Sequence, residues 1–175
     1  MKNEYKIVDD IVTIYLKNKG KVLETIIDLE DFDKANSFAG TWHAYFSPTS
    51  NSFYVYGKLK RIIRLHRLLC NAPNGIVVDH INHNTLDNRR SVNLRILTHA
   101  QNMQNLRTQK SKTSKYRGVS WNKKDKKWRA QIKVNGVKRF LGNFENEPEA
   151  AKAAQTARMK YFPYTIEKEI WEEAQ

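Results

Sequence analysis

The sequence predicts an α+β chain built in two parts. An N-terminal lobe ends in a strand–strand–helix core, and a three-stranded antiparallel sheet packed on one helix follows it. Three observations carry the prediction. Apolar runs at 77–81 and 94–97 flank a polar loop and lead into a helix-start signal. Strict alternation over 127–134 runs into Asn135 and Gly136. From Pro148 onward, small apolar residues recur at helical spacing.

The front of the chain reads as a hairpin over 5–28. Its strands are 7–16 and 22–27, joined at Asn18, Lys19 and Gly20, and a short helix over 29–38 follows. A second hairpin pairs 42–46 with 53–56 across the polar stretch 47–51. The run 62–69 (IIRLHRLL) is apolar enough to dock beside the core.

The core segment, 77–102, is the most informative. Its first strand ends on Asp79 and His80, and a polar loop leads to Asn93 and the second strand. Thr98 and Gln101 stand three apart, as N-cap and N3 of a capping box. Asn102 falls one turn into that helix. The order strand, loop, strand, helix brings Asp79, His80 and Asn102 toward one small pocket. Two oxygen donors for a hard cation beside an imidazole that accepts a proton from water suit phosphodiester hydrolysis. Taken singly, an Asp-His pair is a turn and an Asn-rich loop satisfies its own backbone. The joint pattern, including the run Leu86, Asp87, Asn88, Arg89, points to chemistry. His99, three residues before Asn102, reads either as a ligand or phosphate contact or as a solvent-facing residue of the helix start.

This segment resembles the ββα-metal core of HNH endonucleases, with Asn in place of His at position 102, as in the phage homing branch. The resemblance implies that Asp79 and Asn102 ligate one divalent ion, Mg2+ or Mn2+, and that His80 is the general base. It gives Asn93 the work of bridging the loop and orienting His80. It also places His66 and Arg67 near the site as phosphate or transition-state contacts, with a hydrogen-bonded core histidine as the alternative for His66. Arg95 would support a phosphate.

Residues 107–115 contain only Arg, Lys, Ser, Thr and Gln, the composition of a linker. A short strand over 116–121 and a charged turn over 122–127 follow. In 127–134, Trp128, Ala130, Ile132 and Val134 take one face and Arg129, Gln131 and Lys133 the other. After Asn135 and Gly136 a third strand runs 137–141 and ends at Gly142. The helix starts at Pro148, with Glu147 and Glu149 in its first turn, and Pro163 stops it. Trp128, Ala130 and Ile132 are expected against the helix, leaving a basic outer face wide enough for the DNA major groove.

Residues 116–162 resemble the plant Apetala/ethylene-response-factor type of DNA-binding domain. The likeness rests on Tyr116, Arg117, Gly118 and Val119, on 128–132, on 141–144, and on Glu149, Ala150 and Ala151. It implies groove contacts at Arg117, Ser120, Asn122, Gln131, Lys133 and Lys138; alternation adds Arg129 to the same basic, DNA-binding face. Several of these are Ser, Asn or Lys where the plant proteins carry Arg, so base preference does not transfer. Gln155 stands where that family has an aromatic.

The formal net charge is +13 over 175 residues. The block 107–142 holds about +12 of it, thirteen Lys and Arg against Asp125 alone. Interleaved aromatic and β-branched residues make that block a folded nucleic-acid face with a basic arm, in which Lys110, Lys112 and Lys115 track the DNA backbone. Cys70 is the single cysteine, which excludes disulfides and Cys-based zinc sites within the chain. No apolar run approaches the ~20 residues of a membrane span, and there is no signal-peptide pattern. The expectation is a soluble protein, cytoplasmic in a bacterial host if phage-encoded, acting as a monomer with double-stranded DNA as partner.

The expected organisation is a lobe plus nuclease core over 1–106 (core 76–106), a linker at 107–115, a DNA-binding module at 116–162 and an acidic tail at 163–175. The expected activity is metal-dependent hydrolysis of DNA at a site chosen by the second module. The alternative is a sequence-specific DNA-binding protein whose nuclease core is inactive.

Overall fold

The computed structural model describes residues 1–18, 20–105 and 113–165. Lys19, the linker residues Lys110 and Lys112, and residues 166–175 of the acidic tail lie outside the described residues. The chain divides into two compact units, Met1–Ala100 and Gln101–Gln175.

The first unit opens with a meander of β1 (Tyr5–Val8), β2 (Ile11–Asn18) and β3 (Lys21–Asp28), in that spatial order. The single strand expected over 7–16 is therefore two. Asp9 and Asp10 interrupt it, and Asp9 takes a positive φ of 50°, a conformation that Asp tolerates better than most residues. A 3-10 turn (Leu29–Asp31) and α1 (Phe32–Asn36) follow where one short helix was expected. A second sheet has the order β4 (Trp42–Ser47), β5 (Ser52–Lys58), β6 (Ile62–Arg64). Next come α2 (Leu65–Leu69) and the antiparallel pair β7 (Val77–His80) and β8 (Leu94–Leu97). Directly after β8, Thr98 leads into α3 (His99–Asn102).

One apolar core serves the meander and the second sheet. Val12, Ile14 and Leu16 alternate inward along β2 and meet Ile27, Trp42, Val55, Leu65 and Leu69. Trp42 is fully buried, and its indole nitrogen donates to Ala35 O at 3.1 Å. The Phe38 ring lies 4.4 Å from that of Trp42, over the space above Gly57 where any side chain would collide with it.

In the second unit a 3-10 turn (Met103–Asn105) is followed, beyond the undescribed residues, by β9 (Val119–Asn122), β10 (Lys127–Val134) and β11 (Val137–Phe144), ordered β11-β10-β9. The first strand is shorter than expected because residues 116–118 turn on Gly118, whose φ is +83°. The third is longer. It passes Gly142 through a bulge, since Ala130 pairs with Gly142 and Gln131 with Phe140, leaving Leu141 as the extra residue. The expectation that Gly142 ends the strand fails because glycine here bends the ladder and does not close it. α4 (Glu147–Tyr161) starts as the sequence predicts, with Asn146 Oδ1 accepting from Glu149 N at 3.0 Å. Val119, Ala130, Ala150 and Ala154 form its core with the sheet, and Trp128 packs against them.

A Cβ at Gly118 would need a positive φ and would come within 2.6 Å of Gln131 O, a backbone atom that cannot swing away. Gly118→Ala is expected to cost the second unit about 2–4 kcal/mol. Hydrogen exchange of the full chain would then show β10 amides losing protection while β2 amides keep theirs.

Candidate active site

The site is built on the ββ pair and on the loop between its strands. In β7, Asp79 stands opposite Arg95 and His80 opposite Leu94. The loop is held from both ends. Asn93, 1% exposed, accepts from Asn82 N at 2.9 Å and donates to Asp87 O at 2.7 Å and Asn84 O at 3.3 Å. Its own backbone carbonyl accepts from Ile81 N at 2.9 Å. Asn93 thus bridges the loop as the sequence predicts.

The residue that orients His80 is Asn88. His80 is 4% exposed, and its Nε2 lies 3.2 Å from Asn88 Oδ1. Asn88 Nδ2 donates to Thr25 Oγ1 at 2.8 Å and to Thr85 O at 3.4 Å, while Thr25 Oγ1 donates to Leu86 O at 2.6 Å. The two carbonyls can only accept, so the direction of the whole relay is fixed. His80 Nε2 carries the proton, and the lone pair stays on Nδ1, the atom that can take a proton from water. The orienting role expected of Asn93 passes to a residue that the spacing does not single out from the other loop asparagines.

The front lobe braces this loop. Ile26 N donates to Leu86 O at 3.1 Å and Asn88 N to Ile26 O at 2.8 Å, so the loop runs beside β3. Arg90 pairs with Asp31 at 3.0 Å and Glu30 at 2.6 Å, and Ser91 donates to Asp28 through N and Oγ at 2.9 and 2.7 Å. Asp28, Glu30 and Asp31 each offer a carboxylate oxygen, all within 4.8 Å of one another, a cluster capable of holding a divalent ion. Arg90 and Ser91 fill that cluster as a clasp between lobe and loop. Within the loop, Arg89 grips Asp87 at 2.9 and 2.8 Å. Burial opposes ionisation of Asp87, but the Arg89 hydrogen bonds and charge outweigh it and keep the carboxyl below its usual range.

Burial disfavours the charged form of both imidazoles of the site. Burial pushes the His80 pKa down, against the Asn88 hydrogen bond and the charges of Asp79 and Asp87. His66 packs on His80 with ring centroids 5.1 Å apart, and Tyr54 touches both, at 6.0 and 6.1 Å. Burial, then the proximity of His80, Arg64 and Arg67, bring His66 down to about 3. Its Nδ1 is buried with no hydrogen-bond partner.

Several expected phosphate contacts are engaged otherwise. His66 is 4% exposed and neutral, so it offers no cation to a phosphate. Arg67 donates to Ile76 O at 2.5 Å, Pro73 O at 2.7 Å and Ala72 O at 3.2 Å, which shapes the turn before β7. Arg95 donates to Asp79 Oδ2 through Nε at 3.1 Å and Nη2 at 2.9 Å, a cross-strand pair that register alone produces. Asn102 is half-buried at the end of α3 and belongs to the second unit.

In the second unit, Arg117 donates to the carbonyls of Met103 at 3.0 Å and Gln104 at 2.8 Å and lies over the Phe162 ring. It caps the preceding turn, where a groove contact was expected. Its own carbonyl accepts from the buried Arg158 at 2.8 Å. Ser120 pairs with Arg129 and Asn122 with Lys127, while Gln131 pairs with Phe140 and Lys133 with Lys138. The groove residues expected on the strands therefore share one outer face. Phe140, 63% exposed, stands in the middle of them, and Arg129 lies over its ring at 5.7 Å. Phe140 carries no charge to mark it as a contact in the sequence, although alternation from Lys138 puts it on that face. Lys115 is exposed beside Tyr116.

An HNH endonuclease family matches residues 65–104, and an AP2 domain family matches 114–162. The chain carries an HNH-type nuclease domain and an AP2 domain. It is similar to an uncharacterized HNH endonuclease of Acanthamoeba polyphaga mimivirus, 29% identical over 152 residues that cover 86% of this chain and 76% of that protein. It is also similar to Protein 3.8 of Escherichia phage T7, 38% identical over 64 residues, 37% of this chain and 52% of that one. No solved structure matches the chain. With these matches the chain is classed as an HNH-family nuclease, and the HNH segment contains Asp79, His80, Asn88, Asn93 and Asn102 together. Among the described residues no helix is long and apolar enough to cross a membrane.

Asn88→Ala would strand His80 Nε2 without its acceptor, a loss of about 1–3 kcal/mol. The same variant is expected to broaden the His80 imidazole resonances in NMR, while Asn93→Ala, which frees loop backbone, lowers stability more than it disturbs that ring. A second expectation concerns pH. The folded His66 pKa lies below its unfolded value of 6.5, so its contribution is complete above pH 6.5 and is lost as pH falls toward 3. Denaturant melts between these values should show stability dropping by about 1.4 kcal/mol per pH unit for this group. His66→Phe should flatten that dependence.

Proposed function

We propose that the chain is a metal-dependent endonuclease that hydrolyses phosphodiester bonds in double-stranded DNA, at sites chosen by its AP2 domain. The observation that carries this reading is the tautomer of His80. A buried imidazole whose Nε2–H is fixed by Asn88 holds its lone pair on Nδ1, in the residue that follows Asp79 within the HNH segment.

Asp79 and Asn102 are the metal ligands in this reading. A carboxylate and an amide carbonyl are the oxygen donors that Mg2+ or Mn2+ prefers. Arg95 donates to Oδ2 of Asp79, and a carboxylate has further lone pairs for a cation. When bound, the ion supplies charge stabilisation for the phosphate and the departing 3′-oxygen. His80 Nδ1 takes the proton from the attacking water, and the imidazolium formed is stabilised by Asn88 Oδ1 and by the charges of Asp79 and Asp87. Arg95 holds the Asp79 carboxylate in orientation, and Asn93 keeps the loop closed over the relay.

For recognition, the outer face of β9–β11 enters the major groove with Ser120, Asn122, Arg129, Gln131, Lys133 and Lys138, and Phe140 adds an apolar contact for a thymine methyl or a sugar. Lys110, Lys112 and Lys115 follow the backbone. The lobe and core (1–106), linker (107–115), reading module (116–162) and tail (163–175) make one cutter tethered to one reader, so each raises the other's effective concentration on DNA.

Nicking of supercoiled plasmid tests this reading directly. The parent chain should nick with Mg2+ or Mn2+ and be silent in EDTA. His80→Ala should lose about 10²–10⁴-fold in rate with DNA affinity retained. Equal cleavage by parent and variant would leave only the DNA-binding alternative with an inactive core.

A further inference from the structure

The outward face of the second sheet has no part in the core, and of its residues only Tyr54 reaches the site described above, against the rings of His66 and His80. On one face of β4–β6, Trp42, Val55 and Gly57 are buried, and Ala44 and Ile63 pack toward them. The other face carries His43, Tyr45, Tyr54, Tyr56 and Arg64. Register places Tyr45 against Tyr54, His43 against Tyr56, and Tyr56 against Arg64. The rings fall into two groups. Tyr56 lies 5.7 Å from His43 and 6.3 Å from Tyr45, while Tyr54 lies 6.1 Å from the His80 ring. The Tyr45–Tyr54 pair of the ladder joins the two groups, so this face runs from the His80 side to Tyr45, 56% exposed. Beyond it, the β5–β6 turn exposes Lys58, Lys60 and Arg61 around Leu59 and Ile62, themselves 53% and 64% exposed.

The charge of this region is one-sided. The sequence contains no Asp or Glu between Asp33 and Asp79, while Lys58, Lys60, Arg61, Arg64 and Arg67 fall within that interval. A net +3 over the whole front of the chain conceals the asymmetry, because the carboxylates lie in the meander and the clasp. Aromatic faces and phenolic hydroxyls with flanking cations fit a sugar-phosphate strand, offering stacking to sugars and bases and hydrogen bonds to phosphate oxygens.

We propose that this sheet face is a second DNA contact, a platform that carries one strand of the substrate from the scissile phosphate at His80 across Tyr54 to Tyr45, Tyr56 and Arg64. It rests on the nuclease reading and adds to it a binding surface inside the HNH-bearing unit, separate from the AP2 domain. The platform fixes the register of the cut strand relative to His80, which a reader at the far end of a linker cannot do.

The test uses the full chain with Tyr45→Ala and with Arg64→Gln. Binding of a labelled mixed-sequence duplex in EDTA, and of its dependence on salt, is measured beside plasmid nicking by the parent and by His80→Ala. Each platform variant should bind about tenfold more weakly, with an unchanged melting temperature, and Arg64→Gln should flatten the log–log salt slope by about 0.9. Tyr45→Phe should lose less affinity than Tyr45→Ala, since it keeps the ring and gives up only the hydroxyl. Parental affinity and slope in both Tyr45→Ala and Arg64→Gln, or no duplex binding by the parent, would overturn the platform. Continued cleavage by His80→Ala would instead overturn the nuclease reading, and the binding result would stand apart from it.

Discussion

A relay of three side chains sets what the HNH segment can do. Thr25 on β3 gives its hydroxyl proton to Leu86 O, accepts from Asn88, and so turns the Asn88 oxygen toward His80. Each link is buried and has one sense only, because two of its ends are carbonyls. A free imidazole divides its proton between two nitrogens; this one cannot. The constraint is worth little as a set of single hydrogen bonds, about 1 kcal/mol each. Its value lies in fixing which nitrogen meets the substrate.

That relay explains why a front lobe precedes the recognised segment. The HNH match begins at residue 65, yet the Asn88 anchor is Thr25, and the loop backbone is paired to β3 at Ile26. The clasp of Arg90 and Ser91 on Asp28, Glu30 and Asp31 does the same job at the next turn of the loop. An acidic cluster of this kind resembles a metal site by composition, but here arginine supplies the balancing charge. The lobe is thus the wall against which a polar loop with little apolar content is held closed. Burying that many asparagine amides is tolerable only because nearly every one is paired, as Asn88 and Asn93 are.

Much of this was legible in the sequence, and the failures have physical causes. Apolar runs and turn chemistry located β7, β8, β10 and α4, because those elements have one buried face and unambiguous ends. The break at Asp9 and Asp10 was missed because an apolar pattern on both sides hides a turn of two acids. Gly142 was read as a stop because a bulge and a strand end use the same residue for different reasons. Residue roles were harder. Asp79 and His80 announce themselves by type and position, whereas Asn88 is one asparagine among several, and its partner is distant in sequence. Arg67 and Arg95 are expected as phosphate contacts and Arg117 as a groove contact because the sequence does not show which oxygens surround a guanidinium. In the structure each guanidinium shapes backbone or a carboxylate: Arg67 on the turn at 72–76, Arg95 on Asp79, Arg117 on the end of the turn at 103–105.

The arginines spent inside the fold change the meaning of the net charge. Of the basic residues in the AP2 domain, Arg117 and Arg158 hold backbone carbonyls, Arg139 lies over the Tyr161 ring opposite Ile132, and Lys127, Arg129, Lys133 and Lys138 share the outer face of the sheet. In the HNH-bearing unit, Arg67, Arg89, Arg90 and Arg95 are all engaged by protein oxygen. Arginine suits such work because its planar fork satisfies two oxygens at once, whereas a lysine offers a single point charge on a flexible stem. Lys58 and Lys60 on the β5–β6 turn, and Lys133 and Lys138 on the sheet of the AP2 domain, are by contrast exposed. Arginine in this chain is largely architecture, and attraction to a polyanion falls mostly to lysine. Substitutions that conserve total charge but exchange the two residue types therefore act on different properties: stability where an engaged arginine such as Arg67, Arg90 or Arg95 is replaced, salt-dependent affinity where an outward-facing cation is.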